Sequence, residues 1–342
     1  MREISIQKNE AGQRMDKFLA KYLNKAPKSF FYKMMRKKNI TLNGKKAVGN
    51  EQLKQGDVIK LFLAEETIEN FIDHSQFSKK KASSARKQTA GKKVQLDILY
   101  EDEAAVFINK SVGMLSQKAS PTDTSLVEYF IDYLLENGKI TEEELHTFHP
   151  SVCNRLDRNT SGIVAAGKTL QALQGLSEIF RDRTLKKYYL CLVKGQVKEN
   201  QRIHGYLVKN EKTNKVTVSQ KKPAEQTKDG KEASAIHTEY KVLARNRETT
   251  LLEVHLITGK THQIRAHLAS IGHPIAGDYK YGNRSFNDAL KKKYGLRSQL
   301  LHAYRLEFPE NCEGDIKQLS GKIIKAPVPA LFEQICKAQG VM

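Results

Sequence analysis

Leu256-Ile257-Thr258-Gly259-Lys260-Thr261-His262-Gln263-Ile264-Arg265-Ala266-His267-Leu268, followed shortly by Gly272-His273-Pro274-Ile275-Ala276-Gly277-Asp278-Tyr279-Lys280-Tyr281-Gly282, is the stretch on which the reading of this chain turns. An apolar, β-rich run from Leu251 to Ile257 leads into it, and hydroxyl, amide and cationic side chains follow. A metal site is one use for such histidines. The helical zinc pair, however, needs an i, i+4 spacing and a Glu after the first His, whereas His262 and His267 stand five apart without that Glu. The spacing predicts no metal.

Toward the N-terminus lie two more dense stretches. Lys186-Lys187-Tyr188-Tyr189-Leu190-Cys191-Leu192-Val193-Lys194-Gly195 is strand-like and carries adjacent tyrosines. Arg155-Leu156-Asp157-Arg158-Asn159-Thr160-Ser161-Gly162 sets a carboxylate between two arginines, then hydroxyl residues and a glycine. Taken alone, that Asp reads as the cap of a turn with its arginines in water. The next residues, Gly162 to Thr169, match the phosphate-cradling pattern G-x-x-x-x-G-K-[ST]. That loop needs a buried strand before its first Gly and exposed amides after it. Here the preceding residues are polar and the four between the glycines are apolar. The expectation is a core strand ending in Gly-Lys-Thr, with no nucleotide.

Further β-rich runs (Leu96–Tyr100, Ala105–Asn109) alternate with helical patterns (Ser125–Asn137, Leu170–Arg181), which predicts a mixed α+β body around a large sheet. Residues 209–234 form a polar, Lys-rich insertion, read as a long loop or hairpin tip.

The beginning of the chain is organised differently. Met15, Phe18, Leu19, Tyr22 and Leu23 share one helical face after Arg14. A second helix is predicted over Lys28–Lys37, offering Phe30, Phe31, Met34 and Met35 to a core and leaving Lys28, Lys33, Arg36 and Lys37 in solvent. Ile40-Thr41-Leu42 then runs into an Asn43-Gly44 turn, and Gly56-Asp57 leads into a strand over Val58–Leu63. Residues 64–93 have the composition of a tether, with Lys79-Lys80-Lys81, Arg86-Lys87 and Lys92-Lys93 among Ser, Ala, Gln and Gly.

The net charge is +20, and residues 1–93 contribute 22 Lys/Arg against 9 Asp/Glu, so the first quarter of the chain carries most of the excess. A polyanion is implied as partner, either nucleic acid or an anionic membrane surface. No run of about 20 apolar residues is present for a membrane span. No apolar secretory segment follows Met1. The four cysteines form no C-x-x-C and read as free thiols of a cytoplasmic protein.

Taken in order, R-L-D-x-x-T-S-G, a strand bearing K-x-Y or K-Y, and L-x-T-G-K-T-H-Q-I-R-x-H-L with P-I-x-G-D-x-x-Y-G resemble the RluA-type family of RNA pseudouridine synthases over residues 96 to 331. The helix, helix, strand, Asn-Gly turn and strand of residues 12–63 resemble an S4 RNA-binding domain. The run around Ala11–Asp16 with Pro27-Lys28-Ser29 is most similar to the RluC-type large-subunit rRNA branch. The resemblance departs in two places. Asn154 stands where the family has His before Arg-Leu-Asp, and Lys110-Ser111-Val112-Gly113 stands for Lys-Pro-x-Gly. The organisation implied is an S4-like α/β domain over 12–75, a basic linker over 76–93 and a catalytic domain over 94–340. The last is expected to be α+β with a mixed, mostly antiparallel central sheet, the pseudouridine synthase fold.

What the resemblance implies chemically is isomerisation of uridine to its C-glycoside, in large-subunit ribosomal RNA, without cofactor or metal. It assigns the reaction to Asp157, as nucleophile or as a base that starts elimination at the sugar. It pairs Asp157 with Arg265, and maps the family's tyrosine to Tyr188, with Tyr189 adjacent. A base within an RNA stem must be extruded to reach a carboxylate. Arg155 is placed either to fill the vacated stack or to hold a phosphate. Lys110, Arg14, Lys28, Lys33, Arg36 and Lys37 are the further RNA-binding candidates. The partner is ribosomal RNA, the chain a monomer, and no membrane or nucleotide cofactor is expected. Two other readings are a non-catalytic rRNA-binding ribosome-assembly factor of the same fold, and a P-loop NTPase.

Overall fold

The computed structural model describes residues 1–73, 94–142, 144–210, 213–222 and 233–342. The basic linker expected over 76–93 lies outside these residues.

The first unit is a four-stranded antiparallel sheet in the order β1-β4-β2-β3, built from β1 (Arg2–Ser5), β2 (Ile40–Leu42), β3 (Lys45–Lys46) and β4 (Val58–Leu61). Helices α1 (Met15–Tyr22) and α2 (Lys28–Arg36) cover it with the apolar stripes expected from their spacing: Met15, Phe18, Leu19, Phe31 and Met35 are buried. Asn43 and Gly44, with φ of 49° and 72°, form the two-residue β2–β3 turn, a geometry that matches strand twist and needs positive φ at both positions. The tether composition misleads over its first ten residues. Six of them form α3 (Glu65–Asn70), whose Ile68 is buried, and Ile72 joins the same core.

This unit touches the body directly. Thr147 Oγ1 donates to Glu10 Oε1 at 2.6 Å, Lys21 Nζ donates to the Thr147 carbonyl at 3.0 Å, and Asn9 Nδ2 donates to Glu144 Oε1 at 2.9 Å.

The body is an 11-stranded sheet in the order β11-β10-β12-β13-β9-β14-β8-β6-β5, with β15 on β14 and β7 on β8. The strands are β5 (Ile98–Glu101), β6 (Ala105–Lys110), β7 (Ser151–Val152), β8 (Ser161–Gly167), β9 (Lys186–Lys194), β10 (Gln201–Asn210), β11 (Lys215–Ser219), β12 (Ser234–Arg245), β13 (Thr249–Leu256), β14 (Leu301–Glu307) and β15 (Ile323–Lys325). Every pairing is antiparallel except β8 with β14. The helices of the body are α4 (Leu126–Glu136), α5 (Leu170–Arg181), α6 (Gln263–Ser270), α7 (Arg284–Tyr294) and α8 (Ala330–Ala338). The mixed α+β expectation holds. The Lys-rich insertion is in part the β10–β11 hairpin, and residues 211–212 and 223–232 lie outside the described chain.

The phosphate-loop look-alike is resolved by what its residues do. Strand β8 is buried along its whole length. Lys168 Nζ pairs with Glu101 Oε1 at 2.9 Å, and Thr169 caps α5 by accepting from the Ala172 amide. Its first glycine serves packing. Gly162 has φ 113°, and a Cβ there would stand 2.1 Å from the Ala303 carbonyl oxygen of β14. A side chain at Gly162 would therefore part β8 from β14. Among the described residues, no helix is long and apolar enough to cross a membrane.

Candidate active site

Asp157 lies in the loop that leads into β8, and that loop is fastened from several sides. Ser116 Oγ donates to the Leu156 carbonyl and accepts from the Leu156 amide, both at 3.0 Å. The Thr160 amide donates to the Asp157 carbonyl at 3.0 Å, closing a turn. Asn154, at the family's His position, bridges to β8 by donating to the Ile163 carbonyl and accepting from the Ala165 amide. The substitution thus keeps an anchoring side chain at the mouth of the loop.

Arg265 reaches this loop from α6. Its Nη1 donates to Asp157 Oδ2 at 2.8 Å, while Nε and Nη2 grip Asp278 in a fork at 2.8 and 3.0 Å. The side chains of Arg265 and Asp278 are 9% and 1% exposed; that of Asp157 is 26% exposed. Burial opposes the Arg265 charge, but the bonds to Asp278 and Asp157 outweigh it and hold its pKa above the ordinary arginine value. Asp278 is likewise pushed up by burial and pulled down further by Arg265 and by the Lys280 and Tyr281 amides, so it stays ionised. Gly277, φ 79°, lets the segment before Asp278 pack on the Ser298 backbone: a Cβ there would meet the Ser298 carbonyl oxygen at 2.2 Å.

The quoted motif organises itself around Gln263, which is 2% exposed. Its Oε1 accepts from Thr258 Oγ1 and the Lys260 amide, and its Nε2 donates to the His237 carbonyl and Thr238 Oγ1. His262 takes a left-handed conformation at the helix start, φ 53°. Its Nε2 stands 3.8 Å from Asp157 Oδ2, and its Nδ1 is 2.9 Å from Tyr281 Oη. Burial holds the His262 pKa below its ordinary value, with Asp157 opposing. His267 turns elsewhere, to Thr238 Oγ1 at 3.0 Å.

The tyrosines divide. Tyr188 faces away from Asp157: its ring stacks on His255 at 4.9 Å and lies under the Arg305 guanidinium at 4.1 Å. Tyr189 lines the same cleft as Asp157, His262 and Arg265. The structure therefore does not bring Tyr188 to Asp157, and its neighbour occupies the position expected of it. Burial, then the Asp157 charge, raise the Tyr189 pKa well above that of a free phenol, so its hydroxyl is neutral.

The cleft has a volume of about 1100 Å³, and Asp157 is its one carboxylate among the described residues. Arg155 is exposed on its wall. Lys28, Lys33, Arg36 and Lys37 project into solvent from α2 and its C-terminal end. Arg14 is engaged by Asp16 through two bonds of 3.0 Å. Lys110 is a correction. It is 1% exposed, and its ammonium donates to the Ser111, Met114 and Arg158 carbonyls. Burial lowers its pKa to about 8, with Asp157 opposing. With three donors engaged inside the protein, Lys110 fastens the Asp157 loop and cannot reach RNA.

Asp278, His262 and Tyr281 are candidate site residues that motif reading passed over, and Tyr189 enters that reading only as the neighbour of Tyr188. The first three stood inside the quoted stretch, and only their distances single them out.

A family model described as RNA pseudouridylate synthase matches residues 104–270. The chain is 33% identical over 336 residues to the ribosomal large subunit pseudouridine synthase C of Vibrio parahaemolyticus, covering 97% of this chain and 94% of that protein. Its counterpart in Vibrio cholerae is 32% identical over 334 residues, with the same 97% and 94% coverage. Among solved structures, human RNA pseudouridylate synthase domain containing 4 shares the fold with a TM-score of 0.57 at 23% identity, covering 72% of this chain and 94% of that one. The chain belongs to the RNA pseudouridine synthase family, of the RluA type. It is an isomerase.

Proposed function

We propose that this enzyme converts uridine to pseudouridine in large-subunit ribosomal RNA, with Asp157 as the essential group and no cofactor. The substrate is that named for the relatives. The observation that carries the role of Asp157 is its position: the one carboxylate on the cleft wall among the described residues, held at 2.8 Å by a buried arginine.

The reaction breaks the N-glycosidic bond, turns the uracil and joins its C5 to the same sugar carbon. The proton leaves C5 and N1 ends protonated, so nothing is gained or lost. Asp157 acts as nucleophile at the sugar or as the base that starts elimination. Arg265 keeps it ionised for either route. Tyr189, as a neutral phenol, packs against the uracil and is a poor base at C5. Once C5 has bonded to the sugar carbon, displacing Asp157 or drawing its proton back to the sugar, the freed carboxylate of Asp157 is the group in the cleft suited to receive the C5 proton. Arg155 stands at the wall where an extruded base leaves a gap. The first unit serves as an S4-like docking module over residues 12–75, with Lys28, Lys33, Arg36 and Lys37 on phosphates, ahead of a catalytic domain over 94–340. The enzyme works as a monomer in the cytoplasm.

The test maps pseudouridines in large-subunit RNA from cells lacking the gene, complemented with wild type or Asp157→Asn. Specific sites should disappear with the gene and return only with wild type. Full restoration by Asp157→Asn would leave an RNA-binding assembly role as the better reading.

A further inference from the structure

Four Lys or Arg side chains of the described chain are more than nine-tenths buried: Lys110, Lys168, Lys187 and Arg265. Three have partners. Lys110 has backbone carbonyls, Lys168 has Glu101, and Arg265 has Asp278 and Asp157. Lys187, 8% exposed, meets neither a carboxylate nor a hydrogen-bond acceptor among the described residues. A lysine so largely buried without a counter-charge is uncommon, and the part of Lys187 left accessible opens onto the cleft.

Its surroundings deepen the imbalance. Lys187 precedes Tyr189 by two residues on β9, so the two share a face, and both line the cleft. Arg183, exposed at the rim of the same cleft, is likewise without a carboxylate among the described residues. Its neighbour Arg181 is bound to Glu178 and Asp182. Arg183 takes a left-handed backbone, φ 62°, an unusual conformation for a non-glycine residue. Burial, and then the Arg183 charge, hold the Lys187 pKa below the ordinary lysine value. Beside Tyr189 the cleft therefore carries two cations that repel each other and have no carboxylate partner among the described residues.

We propose that Lys187 and Arg183 form an anion subsite on the cleft wall that receives a backbone phosphodiester of the RNA, next to the nucleotide entering at Asp157. The phosphodiester is the anion that RNA carries at neutral pH, and it offers oxygens to both cations at once. This rests on the reading of the cleft as an RNA site. The contact would fix the strand's register at the reaction centre, apart from the docking supplied by α2.

The experiment uses a large-subunit rRNA transcript that the full-length wild-type protein modifies, and measures its dissociation constant from about 50 to about 400 mM KCl. Lys187→Met should weaken binding about ten-fold near 150 mM salt and make the log–log salt slope shallower by about 0.7 to 1, the share of one phosphate contact. Arg183→Ala should do the same, and Lys187→Arg should restore the wild-type slope. A folded Lys187→Met protein with the wild-type slope overturns the proposal. If Lys187→Met does not fold, Arg183→Ala decides, because that side chain is exposed: an unchanged slope overturns the subsite. Wild-type protein that modifies no ribosomal RNA refutes the functional reading, and the subsite falls with it.

Discussion

Tyr188 and Tyr189 are consecutive in β9 and face opposite sides of the sheet: Tyr188 packs between His255 and Arg305, while Tyr189 opens onto the cleft of Asp157. The pleat sends successive side chains to opposite faces. Tyr188→Phe should therefore leave single-turnover pseudouridine formation within about two-fold of wild type. Tyr189→Leu, which removes the ring, should cost about 100-fold or more, the scale of losing a positioned active-site group. Tyr189→Phe should lie between, since a neutral phenol contributes its ring as well as its hydroxyl. A severe loss on Tyr188→Phe would reverse this assignment.

Asp157→Asn retains shape but removes the charge facing Arg265. Turnover should fall by at least about 1000-fold, as expected for the group that forms or breaks the bond to the sugar. RNA affinity should hold or rise slightly, because a negative charge leaves a basic cleft. Product formation on a transcript and an equilibrium binding titration check the two halves separately.

Arg265→Met should be structurally as well as catalytically severe. It leaves Asp278, 1% exposed, without its fork of hydrogen bonds. Stranding a buried charge typically costs about 3 to 5 kcal/mol. Arg265→Lys should recover part of the stability and little of the activity, since an ammonium cannot hold two carboxylates in the same planar geometry. Urea unfolding and turnover on the two variants would separate these effects.

Stability should also show the ion pair in its acid limb. The Asp278 carboxyl is held below its ordinary pKa, so the unfolded chain binds the proton more readily than the folded one. The stabilisation is complete above the unfolded value, about 3.9, and is lost as pH falls through the lower folded value. Urea midpoints measured from pH 7 to 3 should decline more steeply for wild type than for Asp278→Asn. Parallel curves would remove Asp278 from the acid response.

Much of the fold was legible because periodicity and turn chemistry act locally. The apolar faces of α1 and α2, the Asn43-Gly44 turn and the burial of β8 follow from side-chain spacing. The cleft depended on pairings far apart in the chain. Asp157 and Arg265 were joined by motif likeness, but nothing local told Tyr188 from Tyr189. Both faces of β9 are covered, with Tyr189, Cys191 and Val193 in one apolar cluster and Leu190 and Leu192 in another, so alternation names no cleft side. Lys110 misled for a related reason. A lysine near a motif reads as a surface cation, and only the three carbonyls converging on it reveal an internal fastening. Residues 64–73 misled because Glu and Asn resemble tether composition, while Ile68 and Ile72 find a core.

The guanidinium of Arg265 is divided, two donors fixed on Asp278 and one on Asp157. In the proposed reaction Asp157 bonds to carbon or takes up a proton, and its negative charge would then vanish for part of the cycle. A freely jointed cation would then swing away and have to be recaptured. Arg265 stays put, because its inner carboxylate never takes part. On the proposed route the site would thus pass through a change of net charge with little nuclear reorganisation, and the carboxylate of Asp157 would be regenerated into a polar environment already aligned to receive it.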